Sequence, residues 1–128
     1  MRAMRPGSLA EVAAWTLAGG AFDLALRELL DEARAGPDAS RIAIEPERLA
    51  DRVAHGDIMD AYLAATAETL STELGLPRPT WIDGAGRALH RPWFALPWAG
   101  MRAVLLIESP PFFRARNLFV SANALSRA

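Results

Sequence analysis

The side chains best suited to chemistry are few and scattered. His55 and His90 are the only histidines, and neither belongs to an H-x-x-x-H or H-E-x-x-H pattern. The stretch "HGD" sets His55 near Asp57, with Asp60 following, but Asp57 is well placed to cap a helix and the ligand spacing of a metal site is missing. The absence of cysteine excludes thiolate metal ligands, cysteine nucleophiles and disulfides together. No G-x-S-x-G occurs, and Ser109, between Glu108 and two prolines, reads as a helix cap rather than a nucleophile. "DGAGR", Asp83 to Arg87, lacks both the G-x-G-x-x-G spacing and a preceding strand, so it reads as a turn. Acidic pairs are common in the first half, but they fall on helix faces. With no catalytic constellation, metal site or cofactor motif, the expectation is a protein that is not an enzyme.

Recognition chemistry is better represented. Residues 1–76 hold 7 Arg against 13 Asp plus Glu, whereas residues 77–128 hold 7 Arg against Asp83 and Glu108 alone. That second part interleaves Arg78, Arg87, Arg91, Arg102, Arg114 and Arg116 with Trp81, Trp93, Phe94, Trp98, Phe112 and Phe113. Guanidinium groups grip phosphates and rings stack on unpaired bases, so a single-stranded nucleic acid is one candidate partner. Against it stand an isoelectric point near 6.1 and the lack of an RNP or C2H2 signature. Another protein suits the same residues better, because Trp and Arg dominate binding hot spots and prolines in "RPWFALPW" stiffen their presentation. The candidate partner-binding residues are Trp81, Arg91, Trp93, Phe94, Trp98, Arg102, Arg114 and Arg116, with a homodimer a further option. Two alternatives stay open: the rings complete the core, and the two halves neutralise each other within one fold.

The elements that must position these residues are helical. Alanine (26) and leucine (17) far outnumber valine and isoleucine (nine together), the balance of a helix-rich chain. "SLAEV" is a capping box in which Ser8 and Glu11 serve opposite ends of the first turn. Leu9, Val12, Ala13 and Thr16 share a face until Gly19-Gly20 breaks the run. A second helix from Phe22 carries Leu26, Leu29, Leu30 and Ala33 inward and ends at a left-handed Gly36 before Pro37. A third is expected with Pro46 at its first position and Leu49, Ala50 and Val53 inward. A fourth, capped by Asp57, carries Met59, Leu63, Thr66, Leu70 and Leu74 and stops at Gly75-Leu76-Pro77. An aromatic, Pro/Gly-rich connection spans about residues 77–97. "WAGMRAVLLIE" is expected as the most buried helix, with a strand as the competing reading because so short an apolar run has no decisive period. "SPPFFRARN" follows as a turn capped by Ser109 and ended by a left-handed Asn117. "LFV" is extended, and Ser121 begins a last turn. The expected fold is all-α: one compact domain over residues 1–128 with five or six helices.

The longest uncharged run, Val12 to Phe22, has 11 residues, too few to cross a bilayer. No secretory leader follows the "MRAMR" start, so a cytoplasmic location with no membrane contact is expected.

From Trp81 onward, "TWIDGAGRALHRPWFALPWAGMRAVLLIESPPFFRARNLFVSANALSRA" resembles a C-terminal segment of uncharacterised proteins from high-GC bacteria. Some of those carry an N-terminal helix-turn-helix, and some resemble small antitoxin-like partners of nucleotidyltransferase-type toxins. No helix-turn-helix precedes residue 77 here. The resemblance implies an antitoxin-like or regulatory protein that works by binding its partner.

Overall fold

A computed structural model describes residues 5–96 and 99–125, and its architecture is all-helical apart from one pair of two-residue strands. The helices are α1 (Leu9–Leu17), α2 (Phe22–Ala35), α3 (Ser40–Ala43), α4 (Gly56–Leu74), α5 (Arg102–Glu108) and α6 (Pro111–Arg114). The strands β1 (Trp93–Phe94) and β2 (Leu118–Phe119) pair in parallel, with Trp93 opposite Leu118 and Phe94 opposite Phe119. No helix among the described residues is long and apolar enough to cross a membrane.

Helix α1 starts at Ser8, whose hydroxyl accepts the Glu11 N–H at 3.2 Å, while the Glu11 carboxylate accepts the N–H of Gly7. Leu9, Val12, Ala13 and Thr16 are buried as the spacing requires. Helix α2 buries Phe22, Leu26, Leu29, Leu30 and Ala33. Its end departs from expectation: Gly36 has φ −141° rather than a left-handed value. Its carbonyl takes a hydrogen bond from the Arg41 side chain at 2.9 Å, so α2 ends on a side-chain contact rather than on a left-handed glycine.

The expected helix from Pro46 does not form. The buried Asp60 carboxylate accepts the N–H of Leu49 at 2.8 Å and of Ala50 at 3.0 Å. Those donors are unavailable to a helical ladder, and Asp51 and His55 both take left-handed φ. Helix α4 then begins at Gly56, with His55 before it and Asp57 in the first turn instead of at the cap. The reason is steric. A β-carbon on Gly56 would lie 1.9 Å from the Leu49 carbonyl oxygen, so only glycine lets the two backbones meet there.

Helix α4 is the centre of the core, burying Leu63, Ala64, Ala65, Thr66, Ala67 and Leu70. The Thr66 hydroxyl donates back to the Tyr62 carbonyl at 2.8 Å, which lets a polar residue lie inside. Gly75 takes the left-handed φ of 68° that ends the helix as expected. Phe113 and Phe119 are buried from the other side, and the Phe113 ring meets Tyr62 edge-on at 4.8 Å. Asn117 is left-handed as expected, with φ 63°.

Two expectations for the C-terminal third fail. Helix α5 is not the most buried element: only Leu105 is buried on it. Val104 is 41% exposed, Leu106 46% and Ile107 80%. Seven residues make barely two turns, and a helix lying on a surface turns only one stripe inward. Ser109 does not cap α6. Its hydroxyl bonds the Leu105 carbonyl and accepts the Val120 N–H at 2.8 Å, riveting the end of α5 to the strand.

Candidate interaction surface

The basic residues of the C-terminal half divide into two groups. Arg78, Arg87 and Arg116 are committed to the protein's own carboxylates, Arg87 and Arg116 in buried positions and Arg78 at the surface. Arg87 is 1% exposed, donates to Glu45 at 3.1 Å and to the Pro46 carbonyl at 2.6 Å, and lies 3.7 Å from the Asp60 carboxylate. Its guanidinium also stacks on the Trp81 ring at 4.8 Å. Burial pulls the Arg87 pKa down, and the carboxylate of Glu45 is the main group opposing this. Arg116 donates to Glu68 at 2.7 Å. Arg78 reaches the same Glu68 at 3.0 Å and forks onto Asp83 at 2.7 and 2.9 Å. That fork holds the Asp83 carboxyl below its ordinary value. Much of the charge contrast between the halves is therefore self-neutralisation.

Trp81 belongs with this first group. It is buried and donates its indole N–H to the Ile42 carbonyl at 2.9 Å. Trp81 and Arg116, expected on a docking surface, are instead enclosed by the fold. Trp98 lies outside the described residues.

The remaining candidates do reach the surface. Arg91, Arg102 and Arg114 are exposed, and none has an ion pair among the described residues. Arg102, the first residue of α5, covers the Phe94 ring at 5.2 Å. Phe94 in turn stacks on Phe119, with ring centres 5.0 Å apart and planes 20° from parallel. This three-layer stack fixes the start of α5 against the strand pair. Beyond it the helix turns Val104, Leu106 and Ile107 to solvent. Composition had assigned these three to the core. The signal that exposes them is the unbroken run Val104-Leu105-Leu106-Ile107, since a surface helix cannot face four consecutive residues inward.

Trp93 is half-buried and stands between two clefts. One, about 420 Å3, is walled by Phe22, Ile58, Tyr62, Trp93 and Val120, with Asp23 and His55 among its exposed members. The other, about 500 Å3, is bordered by Leu89, His90, Arg91 and Trp93 facing Arg48 and Asp57. The two histidines thus belong to different clefts. Among the described residues no group of three or more His, Asp or Glu is placed to hold a metal ion.

Comparison of the chain with protein-family models, characterised proteins and solved structures returned no match.

Proposed function

We propose that the protein is a protein-binding module whose partner receives the outer face of α5 in an apolar groove. One observation carries this reading: Val104, Leu106 and Ile107 are all exposed on a short helix fastened at both ends. Contiguous exposed apolar side chains of this kind mark interaction sites. A short amphipathic helix entering a groove is a recurrent mode of recognition. Arg102 and Arg114, exposed and without ion pairs, fit carboxylates on the groove's rim. The resemblance to antitoxin-like segments supports a toxin as the first partner to try, with acidic groups such as the metal-binding carboxylates of a nucleotidyltransferase opposite those arginines. Action would be by occlusion, with no bond made or broken.

The test is co-purification with the product of the neighbouring gene. Ile107→Asp should abolish capture while leaving the helical circular dichroism unchanged, because the side chain supports nothing inside. Retained capture would remove α5 as the docking element. The nucleic-acid alternative loses Arg78, Arg87 and Arg116 to internal pairs, and a salt-independent, oligonucleotide-insensitive tryptophan fluorescence would close it.

A further inference from the structure

The cleft between Phe22, Tyr62 and Trp93 has no α5 residue in its lining. Its volume of about 420 Å3 falls in the roughly 300–1,000 Å3 range of small-molecule sites. Its walls are mainly rings and aliphatic side chains, with Phe22 and Tyr62 meeting edge to face at 6.2 Å, and His55 and Ser121 add polar groups to the lining. Among the described residues Asp23 is the one carboxylate in its lining, and no arginine lines it. Arg27, one turn along α2, belongs to the adjoining hollow and forms no ion pair with Asp23. The Tyr62 hydroxyl makes no hydrogen bond within the described residues. Burial first, and the Asp23 charge second, push its pKa up to about 12, so it stays neutral and free to bond a ligand.

Aromatic faces carry negative charge and attract cations, most strongly where water is partly excluded. A carboxylate beside them adds to that attraction, while an anion would meet repulsion from Asp23 and, among the described residues of the lining, no guanidinium. We infer that this cleft binds a small organic cation of the quaternary or alkylated ammonium class. The charged head lies against the Trp93 and Tyr62 rings beside Asp23, and its methyl groups lie on Ile58 and Val120. Neither the ligand nor its binding depends on the partner protein or on α5.

The probe is choline, titrated into the full chain by calorimetry, beside 3,3-dimethylbutan-1-ol, in which carbon replaces the charged nitrogen. Choline should bind about tenfold more tightly than its neutral twin, the discrimination expected of a partly desolvated cation–π site. Asp23→Asn, at an exposed position, should weaken choline about threefold or more and leave the neutral twin unaffected. Glu47→Gln, on a distant exposed loop, should change neither. Equal binding of the two probes would make the cleft merely apolar and overturn the inference, as would failure of choline to bind at all. Ile107→Asp should leave choline binding intact, which separates this site from the protein-binding one.

Discussion

Helices α4 and α5 are both rich in apolar residues, but the fold treats them in opposite ways. Helix α4 is enclosed on several sides, by α2 and α3, by the turn at Thr80–Asp83, and by α6 and β2, and small residues such as Ala61, Ala64 and Ala65 are buried along it. Helix α5 has one buried residue, Leu105, and a rivet at each end. Apolar composition alone therefore does not assign an element to the interior. What decides is whether other elements can surround it, and a two-turn helix joined through prolines to the next one offers them little room.

The contrast can be broken most severely beneath α4. Asp60→Ala would strand the N–H groups of Leu49 and Ala50 and remove one of the two carboxylates beside the Arg87 guanidinium among the described residues. Removing one partner of a buried pair costs about 3–5 kcal/mol, to be read from urea unfolding. Leu63→Ala, opening a hole in the α4 face, should cost about 2–5 kcal/mol. Leu106→Ala on α5 should cost under about 0.5 kcal/mol, like other surface changes. Similar losses for the two leucines would contradict the distinction drawn between the helices. Gly56→Ala comes next: its β-carbon meets the Leu49 backbone, and overpacking of this type costs about 1–3 kcal/mol.

The smallest effects are electrostatic. Hydrogen bonding from Arg34 holds the Glu73 carboxyl below its ordinary value. The folded form therefore binds fewer protons there, and the stabilisation is present above that value and lost as pH falls through the lowered one. Glu73→Gln should flatten the acid limb of the stability–pH curve. Tyr62 has the opposite sign. Its pKa is raised from 10.0 to about 12, so the folded form keeps its proton longer, and that contribution fades as pH rises across this interval. Tyr62 is the only tyrosine in the chain, so ultraviolet titration reads it without ambiguity. A midpoint near 10 would place the ring in open water.

Local sequence signals predicted local structure well. Ser8 with Glu11, the stripes of α1, α2 and α4, Gly75 and Asn117 each act through neighbours within a turn, and each appears as expected. The failures share a different cause. The helix expected from Pro46 was displaced by Asp60, a residue eleven positions beyond Leu49 whose carboxylate takes the backbone donors. Ser109 was drawn from its cap by Val120. Trp81 and Arg116 carry no mark in the sequence to say that Ile42 and Glu68 would enclose them. Charge arithmetic showed that the two halves differ, but only distances show that Arg78, Arg87 and Arg116 answer carboxylates of the other half. The outward face of α5 was within reach of periodicity, had the four-residue apolar run been weighed against a helix's single inward stripe.

The parallel pairing of Trp93–Phe94 with Leu118–Phe119 has a consequence for how such a protein can change. Helix α5 is tied to the strand pair by Arg102 over Phe94 at one end and by Ser109 beside Val120 at the other, so it is a cassette clipped in at both ends. Lengthening a closed loop adds little entropic cost, roughly 0.6 kcal/mol per doubling. As long as one apolar side chain fills the place of Leu105, new sequences can be exchanged into that cassette while the helices behind it continue to fold as before.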